Sequence, residues 1–177
     1  MPSKPREDSP LPTSTVTFLV TDIEGSTRLW EQDPERMRPA LARHDELART
    51  AVEGNRGNVV KMIGDGVHAV FEDPLDAVGA TLQLQQALAN PEATGGVPLR
   101  VRCGLHLGRV EHRDNDFFGS AVNCGARIMA AAHGGQVIVS QAVVDRVAGL
   151  RQAVARGPYL GRGRATTGRD RSAAAAQ

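Results

Sequence analysis

An α+β fold, a ferredoxin-like sheet covered by helices, is what this 177-residue sequence predicts. Three observations point to it. Short β-branched, apolar runs alternate along the chain with longer segments of helical period. One pair of these runs is separated only by Gly64-Asp65-Gly66, a hairpin signal. The 41% hydrophobic content is enough for one packed core, and with aromatics at 3% that core must be built from Val, Leu, Ile and Ala. Antiparallel hairpins mixed with crossover helices give the α+β class.

The elements follow in order. Residues 1–13, polar and proline-rich, are expected to be a disordered leader without the apolar segment of a secretory signal. Thr15 to Thr21 reads as a central strand, ending in Asp22-Ile-Glu-Gly-Ser-Thr27, a turn into a helix start. Pro34 suits the first turn of a long helix over about 34–53, which Gly54 and Gly57 stop. Asn58–Ile63 and Val67–Phe71 are the hairpin strands, with Asp65 at the tip. Pro74 opens a helix to about Ala89, and residues 90–98 form a loop. Leu99–Val110 alternates as a strand, Gly119 leads into a helix to about Ala132, Gln136–Ser140 is a short strand, and Gln141–Val147 a last helix.

Charge divides the chain. The formal net charge is +1, but residues 151–177 hold six arginines and one acid, so residues 1–150 are net acidic. We read 14–150 as one domain and 151–177 as a basic tail, expected to be disordered. No apolar run approaches the ~18 residues of a membrane helix. Cys103 and Cys124 form neither a disulfide framework nor a metal-ligand spacing, which fits reduced thiols in a cytoplasmic protein.

Several polar residues stand where they are costly. Asp22 follows an apolar strand directly, and Asp65 sits between glycines that let a ligand or backbone approach closely. A strand end and a hairpin tip can meet side by side, and two carboxylates brought together repel unless a cation joins them. Oxygen-only ligation suits Mg²⁺ or Mn²⁺. The plainer alternative is a helix N-cap at Asp22 and a turn residue at Asp65. Lys61, two alternations before Asp65, is either a site residue or an edge-strand guard. Asn123 and Arg127 share a helix face behind a small-residue N-terminus, which suits a phosphate or ribose clamp as well as a solvated face. Asp116 precedes Phe117-Phe118 in a loop. The P-loop, HExxH and GxSxG patterns are absent.

Five blocks, Phe18-Leu-Val-Thr-Asp-Ile-Glu-Gly-Ser-Thr27, Val60-Lys-Met-Ile-Gly-Asp-Gly66, Val101-Arg-Cys-Gly-Leu-His-Leu-Gly108, Asp116-Phe-Phe-Gly-Ser-Ala-Val-Asn-Cys-Gly-Ala-Arg127 and Gly134-Gly-Gln-Val-Ile-Val-Ser140, occur in family order. Together they resemble the catalytic domain of class III adenylate and guanylate cyclases. The resemblance runs over about 15–147 and implies the βααββαβ cyclase fold, with the basic tail after about Arg151 in place of the family's final strands. It implies that Asp22, Asp65 and the backbone carbonyl of Ile23 hold two Mg²⁺ or Mn²⁺ ions per site. Lys61 and Asp116 match the pair that reads the adenine edge, where guanylate cyclases carry Glu and Cys. Asn123 matches the ribose-orienting residue, and Arg127 the one that stabilises charge at the α-phosphate.

The implied activity is adenylate cyclase: ATP to 3′,5′-cyclic AMP and pyrophosphate, at sites shared across a head-to-tail homodimer. Membrane and nucleic-acid partners are not expected. The competing expectation is a catalytically impaired cyclase-homology domain that binds nucleotide or dimerises.

Overall fold

A computed structural model describes residues 13–113 and 116–156. The chain runs β1 (Thr13–Ile23), α1 (Ser26–Gln32), α2 (Pro34–Gly54), β2 (Asn58–Ile63), β3 (Gly66–Phe71), α3 (Pro74–Leu88), a 3₁₀ turn (Pro91–Thr94), β4 (Val101–Arg113), β5 (Asp116–Phe118), α4 (Ser120–Ala130), β6 (Val137–Val139) and α5 (Gln141–Arg156). This is the expected α+β class, and it opens with the expected order β-α-α-β-β-α-β.

The strands form one sheet in the order β2-β3-β1-β4-β5, with β6 pairing parallel to β4. All other pairings are antiparallel. Strand β4 is long enough to carry two short partners on one side: β6 lies against Cys103–Leu105 and β5 against Glu111–Arg113. Capping chemistry sets the helix starts. Asp33 accepts from the Arg36 N–H to open α2, and Asp73 from the Leu75 N–H to open α3, each with proline in the first turn.

Alternation along β1 divides the core. Leu19 and Ile23 face Met37, Ala48, Val52 and Leu84 of α2 and α3. Val16 and Phe18 face the other way and pack with Val70, Val110 and Ala121 of α4. Among the described helices, α4 alone covers this second face. No described helix is long and apolar enough to cross a membrane.

Some boundaries differ from expectation. The hairpin turn is the two-residue Gly64-Asp65, since Ile63 pairs with Gly66. A register shift between Val59 and Lys61 interrupts β2, yet Lys61 and Ile63 still share its exposed side. Residues Asp116–Phe118 form a strand rather than a loop, because they pair with the far end of β4. Helix α5 runs to Arg156 instead of stopping near Val147. Gly149 costs about 1 kcal/mol against alanine in a helix, and the Arg, Gln and Ala residues that follow it are helix formers. Thr13, expected to end the leader, begins β1; residues 1–12 of the leader and 157–177 of the basic tail lie outside the described residues.

Candidate active site

The two aspartates converge at one end of the sheet. Asp22, on the α4 side of β1, lies in register with Arg102 of β4. The Arg102 guanidinium donates to a single oxygen, Asp22 Oδ2, from Nε at 2.8 Å and Nη2 at 2.6 Å. The Asp22 side chain is 26% exposed and that of Arg102 32%, so the pair is open to an incoming ligand. No described residue hydrogen-bonds Asp22 Oδ1.

Asp65 is held beside them by the β2–β3 turn. The Val67 N–H donates to Thr21 Oγ1 at 3.1 Å, tying the start of β3 to β1. Gly66 is required there, because a Cβ would stand 2.9 Å from the Thr21 carbonyl oxygen. Gly64 supplies the left-handed φ of 61° that the tight turn needs. Asp65 Oδ2 is buried with no hydrogen-bond partner. Leaving such an acceptor unmet costs about 1–3 kcal/mol.

Ladder alternation fixes the Ile23 carbonyl. The Glu24 N–H donates to the Arg100 carbonyl at 2.9 Å, so the carbonyl of the same trans peptide, that of Ile23, points away from β4. That is the β3 side, beyond the last β1–β3 pair, Val20 with His68, and towards the turn that carries Asp65. One orphaned carboxylate oxygen, one carboxylate oxygen without a protein partner and one outward carbonyl form an all-oxygen set suited to a divalent cation. Among the described residues no three His, Cys, Asp or Glu side chains cluster.

Asn123 and Arg127 stand elsewhere, exposed on α4. That helix lies unusually close to β4: a Cβ on Gly104 would be 2.5 Å from the Met129 nitrogen, and one on Gly108 2.5 Å from Ala121 Cβ. The resulting open groove of about 460 Å³ is lined by His106, Gly108, Arg109, Ser120, Asn123 and Arg127. Partial burial holds the His106 imidazole below its ordinary range. Neither metal-set aspartate lines this groove.

Lys61 is exposed on edge strand β2, while Asp116 begins β5 in register with Arg113. They occupy opposite ends of the strand order. The side-chain contacts of Asp116 lie outside the described residues.

Sequence reasoning missed two residues here. Arg102 is one, and its signal was a charge inside the apolar Val101-Arg-Cys103, the same signal that marked Lys61. Glu24 is the other. Its carboxylate accepts from the Gly134 N–H at 2.9 Å, while Arg100 Nη2 donates to the Gly134 carbonyl at 2.9 Å. The Gly134 hydrogen bond, helped by the charge of Arg100 and opposed by some desolvation, holds the Glu24 carboxyl below its ordinary range.

Residues 9–168 match the family model described as the adenylate and guanylate cyclase catalytic domain. The match extends past Arg151, where the motif resemblance stops. An uncharacterized protein of Mycobacterium tuberculosis is 40% identical over 153 residues, covering 85% of this chain and 51% of that protein. An adenylate cyclase of Podospora anserina is 31% identical over 163 residues, covering 78% of this chain and 8% of the other. Among solved structures, an adenylate cyclase from Trypanosoma brucei in its monomeric state superposes with a TM-score of 0.66 at 27% identity, covering 78% of each chain. The chain thus spans about half the length of the mycobacterial relative and a small part of the fungal one.

Proposed function

Because this chain belongs to the adenylate and guanylate cyclase catalytic domain family, we propose that it converts ATP to 3′,5′-cyclic AMP and pyrophosphate at sites shared by two copies. The observation that carries this reading is the separation of two complementary half-sites in one chain. The acids gather at the end of β1, and Asn123 with Arg127 line a groove on α4 that excludes them. Two copies arranged head to tail bring the acids of one to the groove of the other, twice. The second sheet face, covered by α4 alone among the described helices, is the surface available for that pairing.

Each residue then has a task. Asp22, Asp65 and the Ile23 carbonyl would hold two Mg²⁺ or Mn²⁺ ions, which supply the charge that eases loss of the 3′-hydroxyl proton and neutralises the triphosphate. The ribose 3′-oxygen bonds to the α-phosphorus as the bond to pyrophosphate breaks, and the hydroxyl proton passes to solvent. Asn123 orients the ribose. Arg127 places a fixed donor where charge builds at the α-phosphate. Lys61 and Asp116 select the base, the lysine donating to a ring nitrogen and the aspartate accepting from the exocyclic amine, which favours ATP over GTP. Arg102, beside Asp22, brings positive charge to the place where the triphosphate meets the acids.

The test is to incubate purified protein with Mn²⁺ and either ATP or GTP and to measure both cyclic nucleotides. Cyclic AMP from ATP, with far less product from GTP, is the expected result. A dimer that binds nucleotide but turns over neither substrate is the binding module instead.

A further inference from the structure

We propose that Glu24 is a positioning residue for the cation-binding carbonyl of Ile23, acting through its hydrogen bond to Gly134; the inference rests on the metal reading above. The peptide that joins Ile23 to Glu24 is the element to be fixed, since its carbonyl is the proposed ligand and its N–H belongs to Glu24. That N–H donates to the Arg100 carbonyl at 2.9 Å, which orients the peptide plane.

One such bond at a strand terminus frays easily, because β1 ends at Ile23 and Glu24 and Gly25 form a turn, with Gly25 at φ 67°. The Glu24 side chain supplies the second tether. Its Oε1 accepts from the Gly134 N–H at 2.9 Å, across 110 residues of sequence. Gly134 is in turn held by Arg100, whose Nη2 donates to its carbonyl at 2.9 Å. Arg100 therefore serves at both ends, with its backbone on the Glu24 N–H and its side chain on the residue that the Glu24 carboxylate grips.

The packing leaves little slack. A Cβ on Gly134 would lie 2.5 Å from Glu24 Oε2 and 2.7 Å from Arg100 Cβ, so only glycine fits. The arrangement closes a ring through Glu24, Gly134 and Arg100 that joins the end of β1, the approach to β4 and the turn before β6. Rotating the Ile23–Glu24 peptide would break the backbone bond and drag the carboxylate from Gly134. Outer groups that orient metal ligands in this way typically matter by about 10- to 100-fold in metal affinity.

The experiment reads Mn²⁺ binding by electron paramagnetic resonance, in the presence of 3′-deoxy-ATP, which lacks the attacking hydroxyl. Wild type, Glu24→Ala, Glu24→Asp, Glu24→Gln and Asp65→Ala are compared, with thermal melts and sedimentation to confirm fold and assembly. Glu24→Asp keeps the charge but shortens the reach, so it and Glu24→Ala should bind Mn²⁺ about tenfold or more weakly. Glu24→Gln keeps an acceptor for Gly134 and should stay within about threefold of wild type. Asp73→Ala, which removes the α3 cap far from the site, should lower the melting temperature without changing Mn²⁺ affinity. Wild-type affinity in Glu24→Ala or Glu24→Asp would overturn the inference while leaving the metal reading intact, and so would a loss in Glu24→Gln as large as in Glu24→Ala. A wild type that binds no Mn²⁺, or an Asp65→Ala protein that binds it normally, would overturn the metal reading and this inference with it.

Discussion

Asp65 holds a single atom in a state that costs the fold stability. Its Oδ2 is buried without a hydrogen-bond partner, a debt of about 1–3 kcal/mol for the fold as it stands. A divalent ion bound there, as proposed, would offset that cost, so the substitution Asp65→Asn should have opposite effects with and without metal. In EDTA the variant should be as stable as wild type or slightly more so, by up to about 1 kcal/mol. With Mn²⁺ and 3′-deoxy-ATP, wild type should gain melting temperature and the variant should not, and cyclic AMP formation by the variant should fall at least about 100-fold. Denaturant titration in the two buffers reads the first effect; a variant that Mn²⁺ stabilises as much as wild type would remove Asp65 from the ligand set. Asp65 was legible in the sequence because its two flanking glycines are a local signal. Arg102 was not, since its bond to Asp22 depends on a strand register that joins residues 80 apart.

At the scale of elements, the placing of α4 rests on residues that are absent as side chains. Gly104 and Gly108 of β4 open the space that the helix backbone fills, and Gly125 of α4 returns the fit, since a Cβ there would lie 3.2 Å from Val20 Cγ2. Gly104→Ala cannot be relieved by turning a side chain, because the new Cβ meets the Met129 nitrogen at 2.5 Å and the Gly125 carbonyl oxygen at 2.8 Å. The helix must move as a unit, at a cost of about 1–3 kcal/mol. Asn123 and Arg127 move with it, and a misplacement of about 1 Å costs on the order of 100-fold in rate. We expect a folded, less stable Gly104→Ala protein with cyclase activity reduced far more than its nucleotide affinity. Gly149→Ala is the control: its Cβ meets nothing within 4 Å, and in the interior of α5 it should stabilise by about 0.5–1 kcal/mol with activity unchanged. Equal activity in the two variants would separate the Asn123/Arg127 geometry from the β4 packing. Such glycines look like strand breaks in a sequence, yet the alternation around them still marked the strand, expected over 99–110 and found over Val101–Arg113. The three-residue β5 was missed for another reason: a segment that short shows no period, and its pairing with β4 makes it a strand.

Under the shared-site proposal one chain carries two half-sites that it keeps apart, and this sets a test that no single-site enzyme passes. Asp22→Ala removes a carboxylate at the end of β1, and Arg127→Ala removes a cation from the α4 groove, so each homodimer should be inactive with both of its sites damaged. In a mixed dimer both losses fall on one site and the other is whole. Equimolar mixing with free exchange makes half of the dimers mixed, so recovered activity should approach about a quarter of wild type. A double variant, Asp22→Ala with Arg127→Ala in one chain, should recover nothing when mixed with either single variant, because every site then lacks at least one of the two groups. Activity in a single variant alone, or no recovery on mixing variants that demonstrably exchange subunits, would put the acids and the groove in service of one chain's own site. The β1–β4 register argues against that, because Asp22 pairs with Arg102, whereas His106 and Gly108, which line the groove, pair with Phe18 and Val16 further back along β1. The proposed metal set lies where that strand ends, whereas the Asn123/Arg127 groove opens along α4 beside His106 and Gly108, so under the shared-site proposal the two sets meet across two copies.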